Sequence, residues 1–148
     1  MRKKYLTTAI LILLASFASC SSMTKVTMKH GIGALLGEVS ATATLVKSRA
    51  GRITGDIGKY GYFDRMPDTL VKELKGARKN PLPDEENPAD PTLAEKAYAV
   101  AAYQIIQQIK AKGGNAVANV LSNVEKNFDP VTRIETVTVI ITAQAIKR

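Results

Sequence analysis

The stretch from Thr92 to Gly114 constrains this chain more than any other, because it carries the start, the face and the stop of one long helix. Thr92-Leu93-Ala94-Glu95 has the spacing of a capping box, in which the Thr92 hydroxyl accepts from the Glu95 amide and the Glu95 carboxylate accepts from the Thr92 amide. Ala94, Ala97, Tyr98, Ala101, Ile105 and Ile109 then recur at steps of three and four, while Gln104, Gln107, Gln108 and Lys110 gather away from that stripe. Gly113-Gly114 supplies a left-handed stop, with Lys110 and Lys112 placed against the negative end of the helix dipole. At about 1.5 Å per residue such a helix is about 30 Å long, enough to cross one face of a small sheet.

The sheet is read from alternation. Leu36 to Val46 places Val39, Ala41, Ala43 and Leu45 on one face and Glu38, Ser40, Thr42 and Thr44 on the other, the pattern of a half-buried strand. Ala116 to Val124 is a second strand and Thr132 to Ile146 a third, with Asn127-Phe128-Asp129-Pro130 read as the turn of an antiparallel hairpin between them. Lys47 to Gly61 holds Gly51, Gly55, Gly58 and Gly61 and reads as irregular. Asp68 to Ala77 reads as a short helix, capped by Asp68, with Leu70, Val71 and Leu74 inward. Asn80 to Pro91, rich in proline and acid, reads as an exposed loop. The expected fold is α+β: a small, mainly antiparallel sheet of three to four strands against one long helix, with an irregular insertion and a short second helix.

The N-terminus carries an address. Arg2-Lys3-Lys4 precedes an apolar run from Leu6 to Phe17, too short to span a bilayer as a stable helix, and then Ala18-Ser19-Cys20. Small residues directly before a lone Cys resemble a bacterial lipobox, so the expected organisation is a lipoprotein signal over residues 1–19, acylation of Cys20, a tether over 20–35 and one domain over 36–148. Ser21 after the Cys points to the outer membrane, facing the periplasm, in a host with two membranes. Of 148 residues 45% are hydrophobic and 23% charged, a balance that buries one core. Removing Arg2, Lys3 and Lys4 from the 21 basic residues leaves 18 against 13 acidic ones, too mild an excess to mark a nucleic-acid binder.

One Cys and one His leave no disulfide framework, no Cys-rich zinc site and no choice of nucleophilic pairs. With His30 in the tether and scattered carboxylates elsewhere, no metal or other cofactor is expected. Asp84, Glu85, Glu86 and Asp90 lack the alternating ligands and central Gly of a calcium loop. Gly31 to Gly37 imitates a dinucleotide loop but has no preceding strand. Asp56 and Asp64 have neither nucleophile nor base beside them in sequence, so no catalytic residue is nominated. The densest basic stretch, Lys47, Arg49, Arg52 and Lys59, reads first as an ordinary solvated loop, with a patch for an anionic surface such as lipid or lipopolysaccharide as its functional alternative. Tyr60, Tyr62 and Phe63 beside it read as aromatics closing a small core or as a stacking platform for a sugar or peptide.

Gly37-Glu38-Val39-Ser40-Ala41-Thr42-Ala43, the helix closing in Gly113-Gly114-Asn115-Ala116-Val117, and the strand ending near Ala143-Gln144-Ala145-Ile146 resemble the YbjQ-like family of small bacterial proteins, and the RcsF-type envelope-stress lipoproteins, over roughly residues 36 to 146. The resemblance implies a non-enzymatic envelope module that self-assembles into homo-oligomers or binds an envelope protein; the alternative it implies is a stress sensor that signals to a membrane partner. The disulfides of RcsF-type domains have no counterpart here, since no Cys follows Cys20. The address makes its own prediction. Cys20→Ala should abolish palmitate labelling and move the protein out of the membrane fraction, and labelling that survives the substitution would refute lipidation at this residue.

Overall fold

The computed structural model describes residues 33–77 and 91–148, within a compact unit of its own that runs from Gly31 to Arg148. The expected signal segment, Cys20, His30, most of the expected tether and the acidic proline-rich stretch through Asp90 lie outside the described residues. In chain order the elements are β1 (Ala34–Lys47), β2 (Ile53–Gly55), a 3-10 turn (Asp56–Lys59), α1 (Tyr62–Arg65), α2 (Thr69–Ala77), α3 (Leu93–Ala111), β3 (Ala116–Asp129) and β4 (Ile134–Lys147). The four strands form one sheet in the order β2-β1-β4-β3, and every neighbouring pair is antiparallel. The fold is α+β, with the long helix packed across β1 and β4.

Helix α3 begins as its sequence dictates. The Glu95 amide donates to Thr92 Oγ1 at 3.2 Å and the Thr92 amide donates to Glu95 Oε2 at 2.6 Å, completing the capping box. Eleven of its 19 residues are buried, a wider arc than one stripe, because the helix is covered on two sides. One side meets Val39, Ala41, Ala43 and Leu45 of β1 and Val137, Val139, Ile141, Ala143 and Ala145 of β4; the other meets α1, α2 and the 3-10 turn. Small side chains on both layers let helix and sheet approach closely, so added volume at these positions strains the core. Leu70, Val71 and Leu74 of α2 are buried as expected, and the Leu70 amide donates to Asp68 Oδ1 at 2.9 Å. Lys110 Nζ stands 2.6 Å from the other Asp68 oxygen and, with the Leu70 amide, holds this carboxyl below its ordinary pKa. Its contribution to stability is therefore present at neutral pH and lost as pH falls through the lowered value.

Several boundaries differ from expectation, each for a physical reason. Strand β1 starts at Ala34, inside the expected tether, because it pairs with β4 back to Lys147 through a bulge at Leu36. The glycine-bearing segment is not wholly irregular: Ile53–Gly55 pairs with Leu45–Lys47 as a short edge strand. The β3–β4 turn is Pro130–Arg133 rather than 127–130. Asn127 and Phe128 pair with Thr136 and Glu135, and Asp129 closes the turn by accepting from the Val131 amide at 2.9 Å and the Thr132 hydroxyl at 2.6 Å. Those two bonds, the Thr132 hydroxyl first, lower the Asp129 pKa.

The helix stop is a tight seat. Gly113 has φ of 75°, and its amide donates to the Lys110 carbonyl. A Cβ on Gly114 would lie 2.7 Å from Ile109 Cγ2 and 3.0 Å from the Ile146 carbonyl oxygen. Gly113→Ala should therefore cost about 1 kcal/mol through backbone conformation alone. Gly114→Val should cost more, roughly 1–3 kcal/mol, through overpacking against β4. Chemical denaturation checks both, and a Gly114→Val variant as stable as the parent would show that the seat is loose.

Candidate functional site: the hairpin end of the sheet

Both β-hairpins turn at the same end of the sheet. Lys47, Glu135 and Phe128 are directly opposite one another across β1, β4 and β3, with Ile53 opposite Lys47 on β2. This row lies one step of the same face beyond the buried row of Leu45 and Val137. From it the chain turns in two loops, residues 48–52 and 130–133. The first is closed by the Ser48 amide donating to the Arg52 carbonyl at 2.9 Å and the Gly51 amide to the Ser48 carbonyl at 2.8 Å. The second is fixed by Asp129 and by Arg133 at φ of 55°.

These loops gather most of the basic stretch. Lys47, Arg49 and Arg52 are exposed at this end, while Lys59 is set back on the 3-10 turn, whose Asp56 accepts from the Thr44 amide at 2.9 Å. The two loops together hold Arg49, Arg52 and Arg133 and no carboxylate. Among the described residues none of these three arginines, nor Lys47 or Lys59, forms an ion pair. Three apolar side chains stand beside them: Phe128 is 60% exposed, Val131 89% and Ile134 37%. Sequence reasoning missed these three, although apolar residues flanking an Asp-Pro turn, where polar ones are usual, were the available signal.

The other nominated residues have structural partners. Phe63 is buried and meets Tyr98 edge to face; Tyr62 stacks on Tyr103 with ring centroids 5.3 Å apart; Lys96 stands over Tyr60. Asp64 pairs with Lys75 at 2.7 Å. Among the described residues there is no group of three His, Cys, Asp or Glu arranged to hold a metal ion. The sheet face opposite α3 carries no second layer among the described residues. It holds a shallow depression of about 390 Å³ lined by residues that include Glu38, Asn119, Leu121 and Gln144, where the side-chain amide of Asn119 donates to Gln144 Oε1 at 2.7 Å.

The sheet edges are unequally protected. Along β1, the Ser40 amide donates to Gln108 Oε1 at 3.3 Å and the Gln108 amide nitrogen donates to the Ser40 carbonyl at 2.7 Å, so one side chain replaces a strand partner. At the start of β3, the Val117 amide donates to Glu73 Oε2 at 3.0 Å, and Arg148 holds the other Glu73 oxygen at 2.7 Å. Because Ser40 bonds outward, its opposite residue on β4, Thr142, bonds toward β3; the alternation then turns the backbone groups of Ser122, Val124 and Phe128 away from β4. Among the described residues no backbone or side-chain group bonds these three outward positions.

Compared with models of known protein families, with curated proteins and with solved structures, the chain matches none. The edge geometry makes a prediction of its own. Ser40, Thr44 and Val117 amides should resist hydrogen exchange in the monomer relative to those of Ser122, Val124 and Phe128, and Gln108→Ala should speed exchange at Ser40 alone. Uniform protection across both sets, measured by NMR in dilute solution, would contradict this division of the edges.

Proposed function

We propose that this chain is an exported, lipid-anchored cell-envelope protein that works by binding protein, a second copy of itself first, rather than by catalysis. The address residues through Cys20 support export and anchoring; the Gly-Glu-Val-Ser start and the Gly-Gly-Asn-Ala-Val run support a YbjQ-like module. The observation that carries self-association is the open part of the β3 edge at Ser122, Val124 and Phe128. The route differs from the one the sequence suggests. The apolar, uncharged run Val137 to Ile141 reads as a strand ready to pair with another copy, yet β4 is a central strand with β1 and β3 on its two sides. The longest run of outward positions without a partner among the described residues that lies on an outer strand is in the distal half of β3, where two copies placed antiparallel would join two four-stranded sheets into one.

The residues 31–148, a compact unit with its own core, should elute at micromolar concentration with a homo-oligomeric mass by light scattering. Ser122→Pro removes an outward amide while leaving the bonds to β4, so it should return a folded monomer. A parent that is strictly monomeric would refute self-association and leave a different envelope protein, as in the sensor reading, as the partner.

A further inference from the structure

The hairpin end presents a combination that neither the protein-binding reading nor the basic stretch alone accounts for. Phe128 is directly opposite Glu135 and so shares the helix-bearing face of the sheet, while Ile134, opposite Asp129, lies on the bare face; Val131 stands at the tip between them. The tip is therefore apolar on both faces and at its end. The domain's own helical layer covers only one face, so no movement of that layer could bury all three side chains. Arg133 is in the same loop, and Arg49 and Arg52 are in the neighbouring loop on the β1 side; of the carboxylates at this end, Asp129 closes its own turn, Asp56 accepts from the Thr44 amide, Glu125 lies further back opposite Thr138, and Glu135 shares the row of Phe128, between it and Lys47.

We propose that this end of the sheet docks onto a bilayer of anionic glycerophospholipid, with Phe128, Val131 and Ile134 entering the interface and Arg49, Arg52 and Arg133 bound to lipid phosphates. A bilayer surrounds an inserted tip on every side, which a wedge apolar on two opposite faces requires and a flat protein surface does not supply. Arg49 and Arg133 lie in the turns themselves and Arg52 beside Ser48 at the base of its loop, where their fixed forks match phosphate oxygens while the apolar groups reach the boundary between headgroups and acyl chains. Lys47 adds to the positive field one row behind. The attraction is electrostatic at long range and so weakens as salt rises. The inference concerns the domain's own surface and holds whether or not Cys20 is acylated or the domain self-associates.

The test uses residues 31–148, which contain no cysteine, and vesicles of phosphatidylcholine with or without phosphatidylglycerol. The domain should sediment with the anionic vesicles and not with the neutral ones, and salt should release it. Arg49→Ala, Arg52→Ala and Arg133→Ala should each weaken partition about fivefold, the magnitude expected of one basic group near a charged membrane. Val131→Asp should weaken it about tenfold, while Lys72→Ala on helix α2 leaves it unchanged. All five positions are exposed, so each variant should keep the parent's circular dichroism and melting curve. An environment-sensitive dye on Val131→Cys should shift to the blue on anionic vesicles, and the same dye on Lys72→Cys should not. Equal sedimentation with neutral vesicles, indifference to Val131→Asp, a loss for Lys72→Ala equal to that for the arginines, or a dye at position 131 that stays in water would each overturn the proposal.

Discussion

The contact at Gly114 sets the frame for everything downstream of the long helix. Ile109 on the last buried turn and the Ile146 carbonyl near the end of β4 leave room there only for a hydrogen, so the helix ends against β4 and β3 must begin beside it. The Gly114 amide donates to the Ile109 carbonyl and the Asn115 amide to the Ile146 carbonyl. Asn115 then uses its side chain as a substitute backbone, accepting from the Arg148 amide at 2.8 Å and donating to the Arg148 carbonyl at 3.1 Å. Helix end, strand start and Arg148, the residue after β4, are thus locked in one place, and the register Ala116 to Ile146 follows.

The same device, a side-chain fork imitating a strand, recurs where the sheet would otherwise be open. Gln108 serves Ser40 on β1, and Glu73 serves both Val117 on β3 and Arg148. Each fork comes from the helical layer, so packing the helices on the sheet also closes parts of its edges. Unpaired strand edges invite pairing with other chains, and covering them with side chains is one way a small sheet remains discrete. The protection is local. It covers the middle of β1 and the start of β3, and among the described residues it stops short of the distal half of β3.

This arrangement gives the two ends of the sheet different characters. At one end the start of β1, the end of β4, the helix stop and Glu73 are tied together by short polar bonds. At the other, the strands run past the buried row of Leu45 and Val137 into loops carrying arginines and exposed apolar groups. A single helix of 19 residues is about 28 Å long, whereas strands of 14 residues reach well beyond 40 Å. The hairpin end overhangs because the layer that would cover it is shorter than the strands.

The sequence by itself determined the elements whose signals are local. The capping box of Thr92 and Glu95, the left-handed Gly113, the inward Leu70, Val71 and Leu74, and the alternation in β1 and β4 all depend on residues within a few positions of one another, and the structure has each of them. It also held an unread signal of strand order, since β4 carries no charge between Glu135 and Lys147 while β3 carries Glu125 and Lys126, as a central and an edge strand respectively should. Tertiary structure alone decided that β1 and β4 pair along their whole length, that Ile53–Gly55 becomes a strand by lying against Leu45–Lys47, and that Gln108, grouped by periodicity with the solvent-facing residues, binds Ser40 at a separation of 68 residues. The candidate site divides the same way: the arginines were legible as a charge run, but Phe128, Val131 and Ile134 joined them only when the two hairpins turned at one end. Periodicity reports which face of an element is apolar, and it carries no information on which other element will stand opposite that face or fall short of covering it.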